Sequence, residues 1–160
     1  MSKHGLKIAK EYGEKLQSFY NKEDAERYFD LYRNNAVDIV EKIIKSYDNL
    51  KLDYSVESLK NIEKLYFELY ENNEFSKMDI TKNEFENIME IYFGEVITRN
   101  YKDSKWLVYE YPFSRWKYEL HVNKGLGSIS VVGMCKDLNN RKDNKRKNYL
   151  FNQRKHLLID

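Results

Sequence analysis

Few residues in this 160-residue chain combine the type and spacing that chemistry needs. Gly94-Glu95 is the most informative pair, because a glycine inside a strong helical pattern costs stability and lets something approach the backbone closely. The expected neighbour is the strand that opens at Trp106. Glu95 follows Tyr92 by three residues and falls at the border of the buried stripe. It is therefore either a binding or acid/base carboxylate with a raised pKa, or a structural one that pairs with Arg99 or accepts the Trp106 indole N–H. One carboxylate without a positioned partner does not make a catalytic site, so no catalytic residue is assigned.

His121 and Cys135 have the types of a base and a nucleophile. If the hairpin turns at 124–126, however, His121 faces about Ile129 and Cys135 lies ~20 Å farther along. Hydrogen-bond reach is ~3 Å. The three histidines, His4, His121 and His156, are widely separated, and no zinc or calcium spacing is present, so neither a metal nor a cofactor is expected. Gly125-Leu126-Gly127 is followed by no helical pattern and reads as a hairpin turn rather than a phosphate cradle.

Two surface chemistries remain. Arg141, Lys142, Lys145, Arg146 and Lys147, followed by Tyr149 and Phe151, could grip phosphates and stack bases, which is a nucleic-acid reading. Tyr109, Tyr111, Phe113 and Trp116 crowd the first hairpin in greater number than one sheet face can bury, and the surplus is either covered by the helices or the C-terminal element or left as contact anchors for another protein. With Glu95, Arg99 and Trp106 they form the candidate binding set.

The elements that position these groups follow from side-chain rhythm. Leu6, Ala9, Leu16 and Phe19 predict a helix over about 3–19, weakened by Gly5 and Gly13. Phe29, Tyr32, Ala36, Val40, Ile43 and Tyr47 predict a second over about 22–47, capped by Asn21. A third starts at Ser55 with Tyr54 and Leu59 packing across its cap, and ends at Asn72-Asn73. Thr81 and Glu84 form a capping box for a fourth, reaching about Asn100 with Phe85, Ile88, Met89, Tyr92 and Val96 on its inner face. Near residue 104 the period drops to 2. Strands are expected over Trp106–Tyr111, over Arg115–Val122 with Trp116, Tyr118, Leu120 and Val122 on the dry side, and over Ser128–Met134. The result is an α+β chain, with about four N-terminal helices covering one face of a small antiparallel meander of three to four strands.

Residues 136–147 are polar and basic and read as a linker or mobile loop, while 148–160 supply a last element that is a strand or a short helix. The chain length suits one domain. Residues 136–160 carry a net +5, which leaves the first 135 at −3. A single cysteine, no apolar run of membrane-spanning length and no apolar leader together point to a cytoplasmic protein with no membrane contact.

Phe93-Gly94-Glu95-Val96-Ile97 closing a helix, then Trp106 opening a hairpin and a glycine-turned strand, resembles a pattern over about residues 80–135 of small uncharacterised bacterial α+β domains. Such domains occur as stand-alone cytosolic proteins and beside toxin-immunity modules. The resemblance implies a fold more than an activity. The expectation is a non-enzymatic cytosolic interaction module whose partner is another protein, with an immunity-type protein that binds and blocks its partner as one form of it. The alternative is a nucleic-acid-associated protein acting through residues 141–151. Neither reading fixes an oligomeric state.

Overall fold

The computed structural model describes residues 1–158, leaving out the side chains of Asn144 and Lys145. Four long helices come first: α1 (Lys3–Glu14), α2 (Lys22–Ser46), α3 (Ser58–Glu71) and α4 (Lys82–Asn100). Strands β1 (Ser104–Glu110), β2 (Tyr118–Lys124) and β3 (Gly127–Ser130) form an antiparallel sheet in sequence order. Two short helices, α5 (Asp143–Arg146) and α6 (Tyr149–Gln153), and a 3-10 turn at Arg154–Leu157 follow. The α+β expectation is met.

The caps hold as the sequence predicts. Asn21 Oδ1 accepts from the Asp24 amide at 2.8 Å, and Thr81 with Glu84 closes a reciprocal capping box at 3.2 and 2.6 Å. Each such cap is worth about 1 kcal/mol. Sequence rhythm assigns α4 one inner face. In the structure it is buried all round, because α2, α3 and the sheet surround it, so that Ile91, Phe93 and Ile97 are as covered as Phe85 and Tyr92. Val108, Tyr118, Leu120 and Val122 line the sheet's inner side against these helices.

Several boundaries differ from expectation, each for a tertiary or local reason. The first helix stops at Glu14, not near residue 19, because the backbone of 17–19 pairs with the start of β2: the Phe19 amide donates to the Trp116 carbonyl at 2.8 Å. The third helix begins at Ser58 rather than Ser55, since Tyr54 is held at φ 59° and Asp53 takes the Ser55 amide. The second strand begins at Tyr118, and Trp116 lies outside it at φ 64°. The following turn is Gly125-Leu126, which pairs Lys124 with Gly127 and sets His121 opposite Ser130 instead of Ile129. Gly125 supplies the left-handed φ of 55° that this tight turn requires.

The third strand ends at Ser130, and the chain turns inward to bury Val131, Cys135 and Leu138. The basic stretch is therefore no linker. Asp137 and Asn139 bind Lys82, and Asn139 also bonds to Tyr66. The last element resolves as helix, docked by Leu150 and Leu157.

Candidate functional site

The structure divides the candidate binding residues between two places. Glu95, Arg99 and Trp106 meet on the inner side of β1. Glu95 accepts the Trp106 indole N–H at 3.1 Å and the Arg99 guanidinium at 3.1–3.2 Å, so both anticipated partners share one carboxylate. A methyl group on Gly94 would collide with the Trp106 ring, which explains the helical glycine. Arg33 and Arg99 complete the cluster, one 4.9 Å from the Trp106 ring and the other 3.6 Å from the Tyr54 ring. Glu95, Arg99 and the Trp106 indole thus partner one another, while Arg33 Nε is buried without a hydrogen-bond partner among the described residues.

Tyr109, Tyr111, Phe113 and Trp116 lie elsewhere. Tyr111 is committed: its hydroxyl donates to the Ala9 carbonyl at 3.0 Å, and its ring meets Tyr12 and Phe113 edge-on. Tyr109 packs against His121 and remains 41% exposed. Trp116 is the outlier. Its amide donates to the Glu110 carboxylate at 3.2 Å and its carbonyl accepts from Phe19 at 2.8 Å, so the backbone is pinned at positive φ while 55% of the residue stays in solvent. Tyr20, 90% exposed, stands beside it. With Ser18, Phe19 and Arg115 these two rings line an open groove of about 490 Å³.

Tyr20 went unnoticed in the sequence because it precedes a helix cap and belongs to no periodic stripe. Only the pairing of 17–19 with 116–118 brings it to Trp116.

A second polar assembly covers the sheet's outer face. Asn123 donates to Tyr109 and accepts from Ser128; Ser128 contacts His121 Nδ1 at 2.8 Å; and His121 Nε2 lies 3.2 Å from Glu119. Tyr12 and Ser130 also donate to Glu119. Burial opposes ionisation of Glu119, but the bonds from His121 and Tyr12, the nearby imidazole and the Ser130 bond outweigh it and hold the carboxyl below its usual range. Serine, histidine and glutamate in line suggest nucleophilic catalysis, yet the Ser128 hydroxyl donates to Asn123 and so is not offered to the imidazole as a proton source. The sequence reading set His121 on the wet face without its partners, since register alone joins it to Ser128.

Three buried glutamates were also missed. Glu90 accepts from the Gly133 amide at 2.7 Å, Glu86 from Asp137 at 2.9 Å, and Glu63 from Leu150 at 3.1 Å. They fasten the C-terminal segment to α3 and α4. Burial pushes the Glu90 carboxyl up to about 8 despite these amides, and burial also raises Glu63. Burial likewise raises the thiol of Cys135, which makes it inert at neutral pH.

Of the basic segment, Arg141 donates to the Met134 and Lys136 carbonyls and covers Tyr149 at 4.6 Å. Arg146 pairs with Asp143 at 2.6 Å and donates to the Asn139 carbonyl. Lys142 and Lys147 are exposed, and the Lys145 side chain lies outside the described residues. Among the described residues no cluster of three or more His, Cys, Asp or Glu side chains could hold a metal. No described helix is long and apolar enough to cross a membrane.

Residues 18–158 match the family model described as Uncharacterised protein YwmA. The chain belongs to the YwmA family. It is 26% identical over 129 residues to the Uncharacterized protein YwmA of Bacillus subtilis (strain 168), which covers 81% of this chain and 82% of that protein. No solved structure matches. Membership agrees with the resemblance to small uncharacterised bacterial α+β domains. The YwmA match starts at Ser18, so it takes in Phe19, Tyr20 and Trp116 and leaves out α1.

Proposed function

We propose that this chain is a non-enzymatic, cytoplasmic protein-interaction module whose contact centre is the Trp116–Tyr20 groove. The observation that carries the reading is the combination at Trp116 of a left-handed backbone, hydrogen bonds fixing both its amide and its carbonyl, and a ring left in solvent. A non-glycine residue in this region costs about 1–2 kcal/mol, and exposing a large aromatic forgoes its burial. Such strain is characteristic of binding sites, and tryptophan and tyrosine in fixed orientations are efficient anchors for a partner's apolar side chain. An immunity-type protein, which binds and blocks its partner, is the form of this activity that we propose, motivated by the resemblance to domains found beside toxin-immunity modules.

The nucleic-acid reading draws less support, because Arg141, Arg146 and Tyr149 are engaged internally.

The test is affinity capture on the immobilised full chain from an extract of the cells that produce it, beside Trp116→Ser and Tyr20→Ser variants of unchanged circular dichroism. A stoichiometric protein held by the wild type and lost by both variants is the expected result. Equal recovery on all three, or none on any, overturns the assignment. Mobility shift with mixed DNA and RNA at low salt checks the alternative.

A further inference from the structure

β1 is an open edge. Among the described residues it pairs only with β2, whereas the opposite side of β2 is taken by β3 and, beyond it, by residues 17–19, and Leu157 packs against Gly127 in β3. The Tyr111 amide donates to the Lys117 carbonyl at 2.7 Å, which fixes the phase of the ladder. The backbone groups of Lys105, Leu107 and Tyr109 therefore turn toward β2, and those of Trp106, Val108 and Glu110 turn outward. Among the described residues no hydrogen bond occupies the outward set. Such an edge is a template for another strand.

The side chains specify which strand. The outer face of β1 presents Lys105, Leu107 and Tyr109 in alternation, with Lys105 exposed, Leu107 half-buried and Tyr109 41% exposed. Laid antiparallel on itself about Leu107, this row places Lys105 of each copy opposite Tyr109 of the other and the two Leu107 side chains face to face. Both ends gain a cation over an aromatic ring and the centre is apolar. In the same register Trp106 pairs with Val108 of the other copy, so the outward amides and carbonyls meet their complements over the whole strand. A strand without a basic, an apolar and an aromatic residue at these facing positions would match the backbone but lack this pattern.

We infer that β1 pairs with β1 of a second copy of this chain, joining two sheets into one continuous sheet about a twofold axis. The surface is separate from the Trp116–Tyr20 groove, and dimerisation is independent of the function proposed there.

Sedimentation equilibrium of the full chain over a wide concentration range should show the mass rise from 19.4 kDa toward twice that value. Tyr109→Lys sets lysine against lysine and should weaken the dimer ~10-fold or more, whereas Lys105→Glu combined with Tyr109→Lys restores opposite charges and should restore it. Trp116→Ser should leave it intact, which separates this result from failure at the groove. Amide exchange on the wild type provides a readout free of folding defects: the Trp106 and Val108 amides should gain protection as concentration rises. A mass of 19.4 kDa throughout, undiminished association of Tyr109→Lys, no recovery in the double variant, or concentration-independent exchange at Trp106 and Val108 would each overturn the inference.

Discussion

Trp106 and Trp116 flank the same hairpin, yet the fold treats them oppositely. Trp106 lies over Gly94 with its indole N–H on Glu95 and a guanidinium 4.9 Å from its ring. Trp116 has its backbone pinned and its ring in solvent. An aromatic's role is thus set by what the remainder of the chain builds around it. Helix α4 supplies a glycine slot and a carboxylate for one. For the other, segment 17–19 supplies only a backbone clasp and a second exposed ring.

The largest expected effect is on the buried side. Trp106→Ala empties the slot above Gly94 and leaves Glu95 without the indole donor, and should cost about 3 kcal/mol in urea unfolding. Gly94→Ala approaches the same contact from the helix and should cost about 1–3 kcal/mol, with the Trp106 emission altered because the ring must move. If both variants were as stable as the wild type, the slot would not organise the fold and the contrast would fail.

A pH effect sharpens the same inner-against-outer distinction. The Glu90 carboxyl is raised by burial to about 8, well above its unfolded value near 4.5. The folded protein therefore binds a proton that the unfolded chain has released, and this contribution is complete below about pH 4.5 and is lost as pH rises through about 8. Unfolding measured across that window should show falling stability, and Glu90→Gln should flatten the trend. Glu63, shifted in the same direction, leaves a residual slope.

Smaller effects belong to the exposed ring. Iodide should quench the Trp116 emission and spare that of Trp106, so Trp116→Phe should remove most of the quenchable signal. Trp116→Gly relieves the left-handed backbone but restores chain entropy to the unfolded state, and should change stability by no more than about 0.5 kcal/mol. A large loss there would assign Trp116 to the fold rather than to binding.

Much of the scaffold was legible because its signals are local. Asn21, Thr81 and Glu84 cap their helices as read, the period changes near residue 104, and Gly94 meets the strand residue expected of it. The site was legible only in part. Alternation continues through Trp116 and gives it the signature of a dry-face strand residue, and nothing near it in sequence shows that residues 17–19 capture its carbonyl. Residues 136–147 have the polar, basic composition of a linker. Their fixed position comes from Lys82, Glu86 and Tyr66, all distant in the chain.

The class of each element and most of the apolar inventory are written locally in the chain, since propensity, capping and periodicity act within a few residues of one another. Where polar and aromatic groups find partners depends on the closed fold: Glu63, Glu86 and Glu90 on backbone amides, His121 beside Ser128, Tyr20 beside Trp116. Those pairings join residues far apart in the chain, and their energies depend on distance and burial, quantities that exist only after the chain has closed on itself.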